Sequence, residues 1–448
     1  MATEFLPGIE MSDAAVKPPK RGVRTAARQV RAAARVHSPE QFIGVLRQFK
    51  EFGAETRCET TTSATFSGEP ITVPALVNEY WTSAQRAASS LHEISYRACF
   101  KPQLPRFFIE RLSDPGDRVY DPFMGRGTTP IEAALLGRVP VGCDVNPLSV
   151  RLVRPRLNPP ELAQVAERLK SMDLTYKDNL REDLLAFYHP VTLGAVSAIK
   201  AYLLQRLKSG AYDAVDDWIC CVSLNRLTGH SPGFFSVYTL PPNQAASVKS
   251  QLRINEKRKQ QPPERDVKAI VMKKSKQLLK ECDPSVRETL KRVTPSAQWV
   301  TSLCDTTPDI ASNSIQLVVT SPPFLDVVQY AADNWLRCWF IGVNPDDVRI
   351  TMSSKVKAWQ EVMTKTFREL QRVLRPGGYV AFEVGEVSGG KVRLEEAVLP
   401  CGVEAGLKPE CVLINAQEFT KTANCWGVDN NAKGTNTNRV VVFSKPTV

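Results

Sequence analysis

Ser321-Pro322-Pro323-Phe324 follows Thr320 and the apolar run Ile315 to Val319. Two consecutive prolines stop a strand, because neither has an N–H to give to a ladder and both have a restricted φ. The last carbonyls are thereby held outside any ladder, facing the crevice at the strand end. Such a site suits an amine whose lone pair is delocalised into an aromatic ring, a poor nucleophile that needs acceptors for both hydrogens. The Ser321 hydroxyl and the Pro322 carbonyl can take them and turn the nitrogen toward an activated methyl group. Phe324 offers a flat apolar face on which an extruded base can stack. An ordinary turn that ends a core strand and buries a phenylalanine carries the same residues.

A second constellation lies in RVYDPFMGRGTTPIEAALLGRVPVGCDVN, residues 118–146. Val119 and Tyr120 lead into Asp121, Gly125 and Gly127 form a turn, and Thr128 or Thr129 can cap a helix carrying Ile131, Ala134, Leu135 and Leu136. A second short strand, Val139 to Cys143, ends at Asp144. This is a βαβ unit, and open α/β sheets bind ligands where a parallel strand meets such a helix. Asp144 is placed to accept hydrogen bonds from both hydroxyls of a ribose, so a nucleoside cofactor follows, with nicotinamide cofactors as rivals on this pair alone.

Further elements position these groups. The α/β pattern resumes after a long gap with strands at Trp299 to Leu303 and Ile315 to Thr320, a helix from Trp359 to Leu374 and a strand from Tyr379 to Val384. Strands at Glu410 to Leu413 and Arg439 to Phe443 close the sheet as a hairpin across a long loop. One or two helices are expected near Asn78 to Arg97. Residues 1–70 read as a basic, flexible arm, with Lys17, Lys20, Arg21, Arg24, Arg28, Arg31 and Arg35 among alanines and prolines, or as a solvated tail. Residues 71–150 and 296–448 are the two parts of one catalytic domain.

Between them, residues 151–295 form a helical, basic insertion, with apolar spacing at Leu162, Val165 and Leu169 and at Leu193, Val196, Ile199 and Leu203. From Arg253 to Lys280 it carries ten lysines and arginines, Lys257, Lys273 and Lys274 among them, that face few acids. This run is a DNA-phosphate surface or a solvated helix face. The polar, glycine-rich stretch from Asn225 to Phe235 is a loop for phosphates or a base, or a structured interhelical connection. Its His230 is a proton acceptor or a neutral loop histidine.

The 448 residues carry 58 lysines and arginines against 47 acids, a net charge of +11 that suits a polyanionic partner. Eleven cysteines lack the paired CxxC spacing of a zinc site, so no metal is expected. Cys220 and Cys221 read as buried apolar residues. With no secretory h-region at the start, the expected setting is a reducing cytoplasm, and no apolar run approaches the ~20 residues that cross a bilayer.

DPFMGRGTT, GCDVN and TSPPF together resemble the S-adenosylmethionine-dependent DNA amino-methyltransferases, the N4-cytosine and N6-adenine family. The similarity covers roughly residues 90–150 and 295–445, including RVLRPGGYVAFEVGE and TNTNRVVVF. It implies a Rossmann-like α/β fold with a seven-stranded methyltransferase sheet, interrupted here by the helical insertion. The insertion does not stand where the family's recognition domain usually does. The resemblance implies that S-adenosylmethionine is held by Asp121, Phe123, Gly125, Gly127 and Thr128, that Asp144 binds its ribose, that Phe100 and Lys101 line it, and that Asp305 meets its adenine. Ser321, Pro322, Pro323 and Phe324 then form the catalytic motif. In the family, serine before the prolines accompanies cytosine N4, and aspartate or asparagine accompanies adenine N6. The implied partners are double-stranded DNA and a cognate restriction endonuclease, in a bacterial or phage-type setting. An N6-adenine enzyme, an RNA base methyltransferase and a catalytically idle DNA-binding subunit are the rivals.

Overall fold

The computed structural model of the chain describes residues 35–81, 88–97, 99–176, 178–240, 242–323, 330–348, 355–384, 386–387, 392–416 and 438–447. Its strands are β1 (Arg57–Ala64), β2 (Pro70–Asn78), β3 (Arg118–Asp121), β4 (Val139–Asp144), β5 (Gln298–Thr301), β6 (Ile315–Thr320), β7 (Leu374–Val384), β8 (Glu386–Val387), β9 (Val392–Arg393), β10 (Lys408–Asn415) and β11 (Asn438–Ser444). Nine of these form one sheet in the order β1-β2-β10-β11-β7-β6-β3-β4-β5, and β8 pairs with β9. The run β7-β6-β3-β4-β5 is parallel, whereas β11 is antiparallel to both β10 and β7. The late hairpin is therefore present.

The helices are α1 (Pro39–Arg47), α2 (Gln103–Leu112), α3 (Thr128–Leu135), α4 (Leu148–Leu157), α5 (Leu162–Ser171), α6 (Pro190–Lys208), α7 (Ala214–Arg226), α8 (Val248–Arg258), α9 (Val267–Leu278), α10 (Pro284–Val293), α11 (Tyr330–Ile341), α12 (Val356–Val373) and α13 (Leu394–Glu404). Central strand β6 is buried at every position, as a parallel strand covered on both faces must be. Its residues alternate between the two cores: Val318 joins Phe367 and Val398 of α12 and α13, while Leu317 and Val319 join Phe107 and Phe108 of α2.

The sheet has nine strands where seven were expected. The additional pair is the β1–β2 hairpin, with β2 running parallel to β10. The expected arm to residue 70 is likewise corrected, since α1 (Pro39–Arg47) and β1 (Arg57–Ala64) fall within it; residues 1–34 lie outside the described part. Strand β1 (RCETTTSA) is mostly exposed, and its polar edge position removed the apolar alternation by which strands are read. Between Asn78 and Arg97, the described residues hold a single 3-10 turn, Ser90–His92, where helices were expected.

The insertion packs around fully buried Trp218, whose indole donates to Ser275 Oγ at 3.0 Å, in a core that also takes in Ile131 and Ala134 of α3 and Leu336 and Phe340 of α11. Asp216 in α7, also fully buried, accepts bonds from Arg168 and Arg206. Paired burial of this kind keeps the carboxylate from being an uncompensated charge. Among the described residues, no helix is long and apolar enough to cross a membrane.

Candidate active site

The turn between β3 and α3 is built from two left-handed glycines, Gly125 (φ 48°) and Gly127 (φ 81°). A Cβ on Gly127 would lie 2.2 Å from Val153 Cγ2 on α4, so this glycine serves the backbone turn and helix packing. It is also the N-cap of α3, where Thr128 or Thr129 was expected to cap. Thr129 instead donates to the Val319 carbonyl at 3.0 Å, tying α3 to β6. Arg156 donates to the Arg126 and Leu91 carbonyls and so holds the outside of the turn.

Asp144 faces this turn from the end of β4. One carboxylate oxygen accepts the Gly125 amide at 2.9 Å and the other accepts the Asn146 amide at 2.9 Å. Burial raises its pKa, and these amide bonds oppose the shift. Asp121, only 2% exposed, accepts the Phe123 amide at 3.1 Å and the Thr320 hydroxyl at 2.7 Å on the same oxygen. Burial pushes its carboxyl up to about 7. Asp121 therefore joins the end of β3 to the end of β6.

These strand ends open into a cavity of about 360 Å3, within the range of small-molecule sites. Of the residues assigned from sequence, Phe100, Asp121, Phe123, Gly125, Thr128, Asp144, Asp305, Ser321 and Pro323 line it. Lys101, Gly127 and Pro322 do not. Lys101 is exposed ahead of α2 and Pro322 is buried, while Gly127 turns toward Val153. Phe324 lies outside the described residues.

Ser321 stands at the cavity wall and hydrogen-bonds the carboxylate of Glu383. Glu383 is buried at the end of β7 and accepts from Asn438 Nδ2 at 3.0 Å. Burial pushes the Glu383 carboxyl up, and the bonds from Ser321 and Asn438 hold it back toward the charged form. Because a carboxylate only accepts, the serine hydroxyl donates to it and keeps its lone pairs for a donor in the cavity. Beside it the Trp359 indole donates to the Pro323 carbonyl at 3.2 Å, fixing the turn after β6.

Trp359, Val362, Met363 and Thr366 form one face of α12 along the cavity. Their helical spacing was visible in the sequence, but a core stripe has the same spacing. Tyr96, Arg126 and Asn146 also line the cavity; Arg126 and Asn146 stand inside the motifs DPFMGRGTT and GCDVN, in which no role was read for them. Leu303, 49% exposed at the rim, is an apolar side chain left open to a ligand.

Residues 72–154 match the family described as DNA methylase. The Type II methyltransferase M.BsoBI of Geobacillus stearothermophilus is 24% identical over 62% of this chain and 57% of its own length. The Type II methyltransferase M1.MboII of Moraxella bovis is 41% identical over 16% of this chain and 29% of its own. The chain thus spans less than two thirds of the length of these relatives. The solved structure of TrmN from Thermus thermophilus aligns over 78% of this chain and 50% of its own, at 12% identity and a TM-score of 0.31, too distant to bear on function. Over the glycine turn and Asp144 the chain is thus similar to DNA methylases, and over longer stretches to Type II methyltransferases.

Proposed function

We propose that the chain transfers a methyl group from S-adenosylmethionine to the N4 amine of a cytosine flipped out of double-stranded DNA. The observation that carries this reading is the Ser321 hydroxyl, committed as a donor to Glu383 and lining the same cavity as Asp144. The cavity suits the cofactor: an acid pinned by two backbone amides answers the ribose hydroxyls, and Leu303 and Trp359 supply apolar surface for the adenine. When bound, S-adenosylmethionine supplies an electrophilic methyl group on a positively charged sulfur.

The chain's own residues bind, orient and exclude. Asp144 accepts the ribose hydroxyls, and Asp305 meets the adenine. Ser321 Oγ accepts one of the two amine hydrogens, which turns the nitrogen lone pair toward the methyl group. Glu383 sets the serine rotamer and is a positioning residue, and Trp359 holds the Pro323 peptide. Phe324 is the stacking face for the base. The methylated amine is acidic and gives its surplus proton to water or a backbone acceptor. Serine before the prolines favours cytosine N4 over adenine N6. The +11 net charge and the insertion favour a duplex polyanion as partner, and a cognate restriction endonuclease accords with the Type II names of the relatives.

The test is to incubate the protein with DNA and methyl-labelled cofactor, digest the DNA, and separate the nucleosides by mass spectrometry. Label in N4-methylcytosine is expected. Label in N6-methyladenine overturns the base assignment, and label only in RNA overturns the substrate.

A further inference from the structure

Beside the cofactor cavity, and sharing Tyr96 and Arg126 with it, lies a second, wide-mouthed cleft of about 450 Å3. His92, Glu93 and Arg126 come to it from the cofactor half of the chain, and Arg226 and Lys274 from the end of α7 and from α9 of the insertion. Lys274 belongs to the basic run read from sequence as a surface feature, yet it is only 5% exposed. Its ammonium lies 3.2 Å from Gln277 Oε1 and 3.6 Å from Glu93 Oε2. Arg226 has no carboxylate partner among the described residues; it donates to Asn225 and to the Gly233 carbonyl and lies over the Phe234 ring. Arg126 donates to the Ile94 and Phe100 carbonyls and to Thr128. Three cations therefore meet one half-exposed carboxylate. Burial, and after it the nearby Arg226 charge, hold Lys274 down to about 8 against the pull of Glu93.

His92 adds an independent observation. It is 6% exposed, its Nε2 lies 2.7 Å from Glu132 Oε2, and its buried Nδ1 has no partner. Burial, aided by the Arg156 and Arg126 charges and opposed by Glu132, holds the ring below its usual range and so in its neutral form. The cations Arg126, Arg226 and Lys274, gathered in one cleft, answer an acceptor-only anion.

We propose that this cleft binds a backbone phosphate of the DNA strand that carries the target base. The inference rests on the function proposed above and gives the insertion a role in it. A strand laid across the mouth of the cofactor cavity meets cations from both halves of the chain, so one phosphate bridges the insertion to the cofactor turn.

The experiment uses the full chain and a mixed-sequence duplex, with Arg226→Gln, Lys274→Met and the double variant. Duplex affinity should fall on the order of 10-fold in the double variant, and the slope of log K against log salt should shrink by roughly one to two. S-adenosylmethionine affinity by calorimetry should stay within about twofold, because neither residue lines that cavity. Lys274→Met removes a buried ammonium whose burial outweighs its one carboxylate partner, half-exposed Glu93, and should melt at or above the wild-type temperature; a structural lysine would lower it. Arg226→Lys keeps the charge and should keep the slope. An unchanged slope in the double variant, with cofactor binding intact, overturns the phosphate site and leaves the proposed function standing. Wild-type protein that binds no S-adenosylmethionine overturns both. Inorganic phosphate binding that the variants lose without any change in duplex affinity makes the cleft a free-anion site and overturns the assignment to DNA.

Discussion

Replacing Asp121 by asparagine removes a charge while keeping its bonds, because both the Phe123 amide and the Thr320 hydroxyl are accepted by the same oxygen. An asparagine carbonyl can take that oxygen's place, so geometry is preserved and electrostatics alone change. Burial has moved the carboxyl from 3.8 to about 7. A folded-state pKa above the unfolded one means that the native protein binds the extra proton between these values, so stability is fully present below about 4 and is lost as pH rises through about 7. The loss approaches about 4 kcal/mol above pH 7, at about 1.4 kcal/mol for each tenfold change in proton affinity. For a chain of this length, with an unfolding entropy near 2 cal/mol/K per residue, that corresponds to roughly 5 °C in melting temperature. The assay is differential scanning calorimetry of wild type and Asp121→Asn from pH 4.5 to 8. The two curves should start together, and the variant should rise above wild type as pH increases. A gap that stays constant with pH would refute the buried-charge reasoning.

Five further perturbations separate the parts of the site. Asp144→Ala should weaken S-adenosylmethionine binding about 10- to 100-fold by calorimetry in a folded protein, the range for bonds to a charged group. Ser321→Ala should lower turnover roughly 10- to 1,000-fold with DNA binding intact. Glu383→Gln should also lower turnover without changing cofactor affinity: with Asn438 held by the amide oxygen, the amide NH2 faces Ser321 and occupies its lone pair. Trp359→Phe keeps the ring but not the donor to Pro323, and turnover should drop about tenfold, the cost of one ordinary hydrogen bond. Gly127→Ala should destabilise the protein by about 3 kcal/mol through its left-handed φ and the clash with Val153, and adding Val153→Ala should restore only the clash portion in urea unfolding.

The parallel half of the sheet was legible because its strands are short apolar runs bounded by turn residues. Val139 to Cys143, Ile315 to Thr320 and Tyr379 to Val384 all fall within observed strands. Asp121, Asp144 and Ser321 were legible too, since a strand end followed by glycine or proline states where a side chain is placed. The rest depended on distance along the chain. Glu383 could be seen at a strand end, but its partner Asn438 is 55 residues away, and only the β7–β11 pairing joins them. Lys274 looked like its exposed neighbours because the burial of one lysine in a basic helix depends on what packs over it.

The β1–β2 hairpin has a consequence for how the chain is made. Strand β2 joins the sheet through β10, and its exit is fixed where the Tyr80 amide donates to Asn415, 335 residues further on. A nascent chain emerges at about 5–20 residues per second, so the first strands wait tens of seconds for their partner. Through that interval the apolar face of β2, with Val73, Ala75 and Val77, lacks Val398 and Leu399 of α13, with which it shares a core. A ribosome stalled before residue 408 would hold an unfinished sheet with an open edge, the form of intermediate that pairs with other chains. The polar, threonine-rich β1 is suited to that wait, because as the outer strand of a hairpin it can shield one side of β2 before β10 exists.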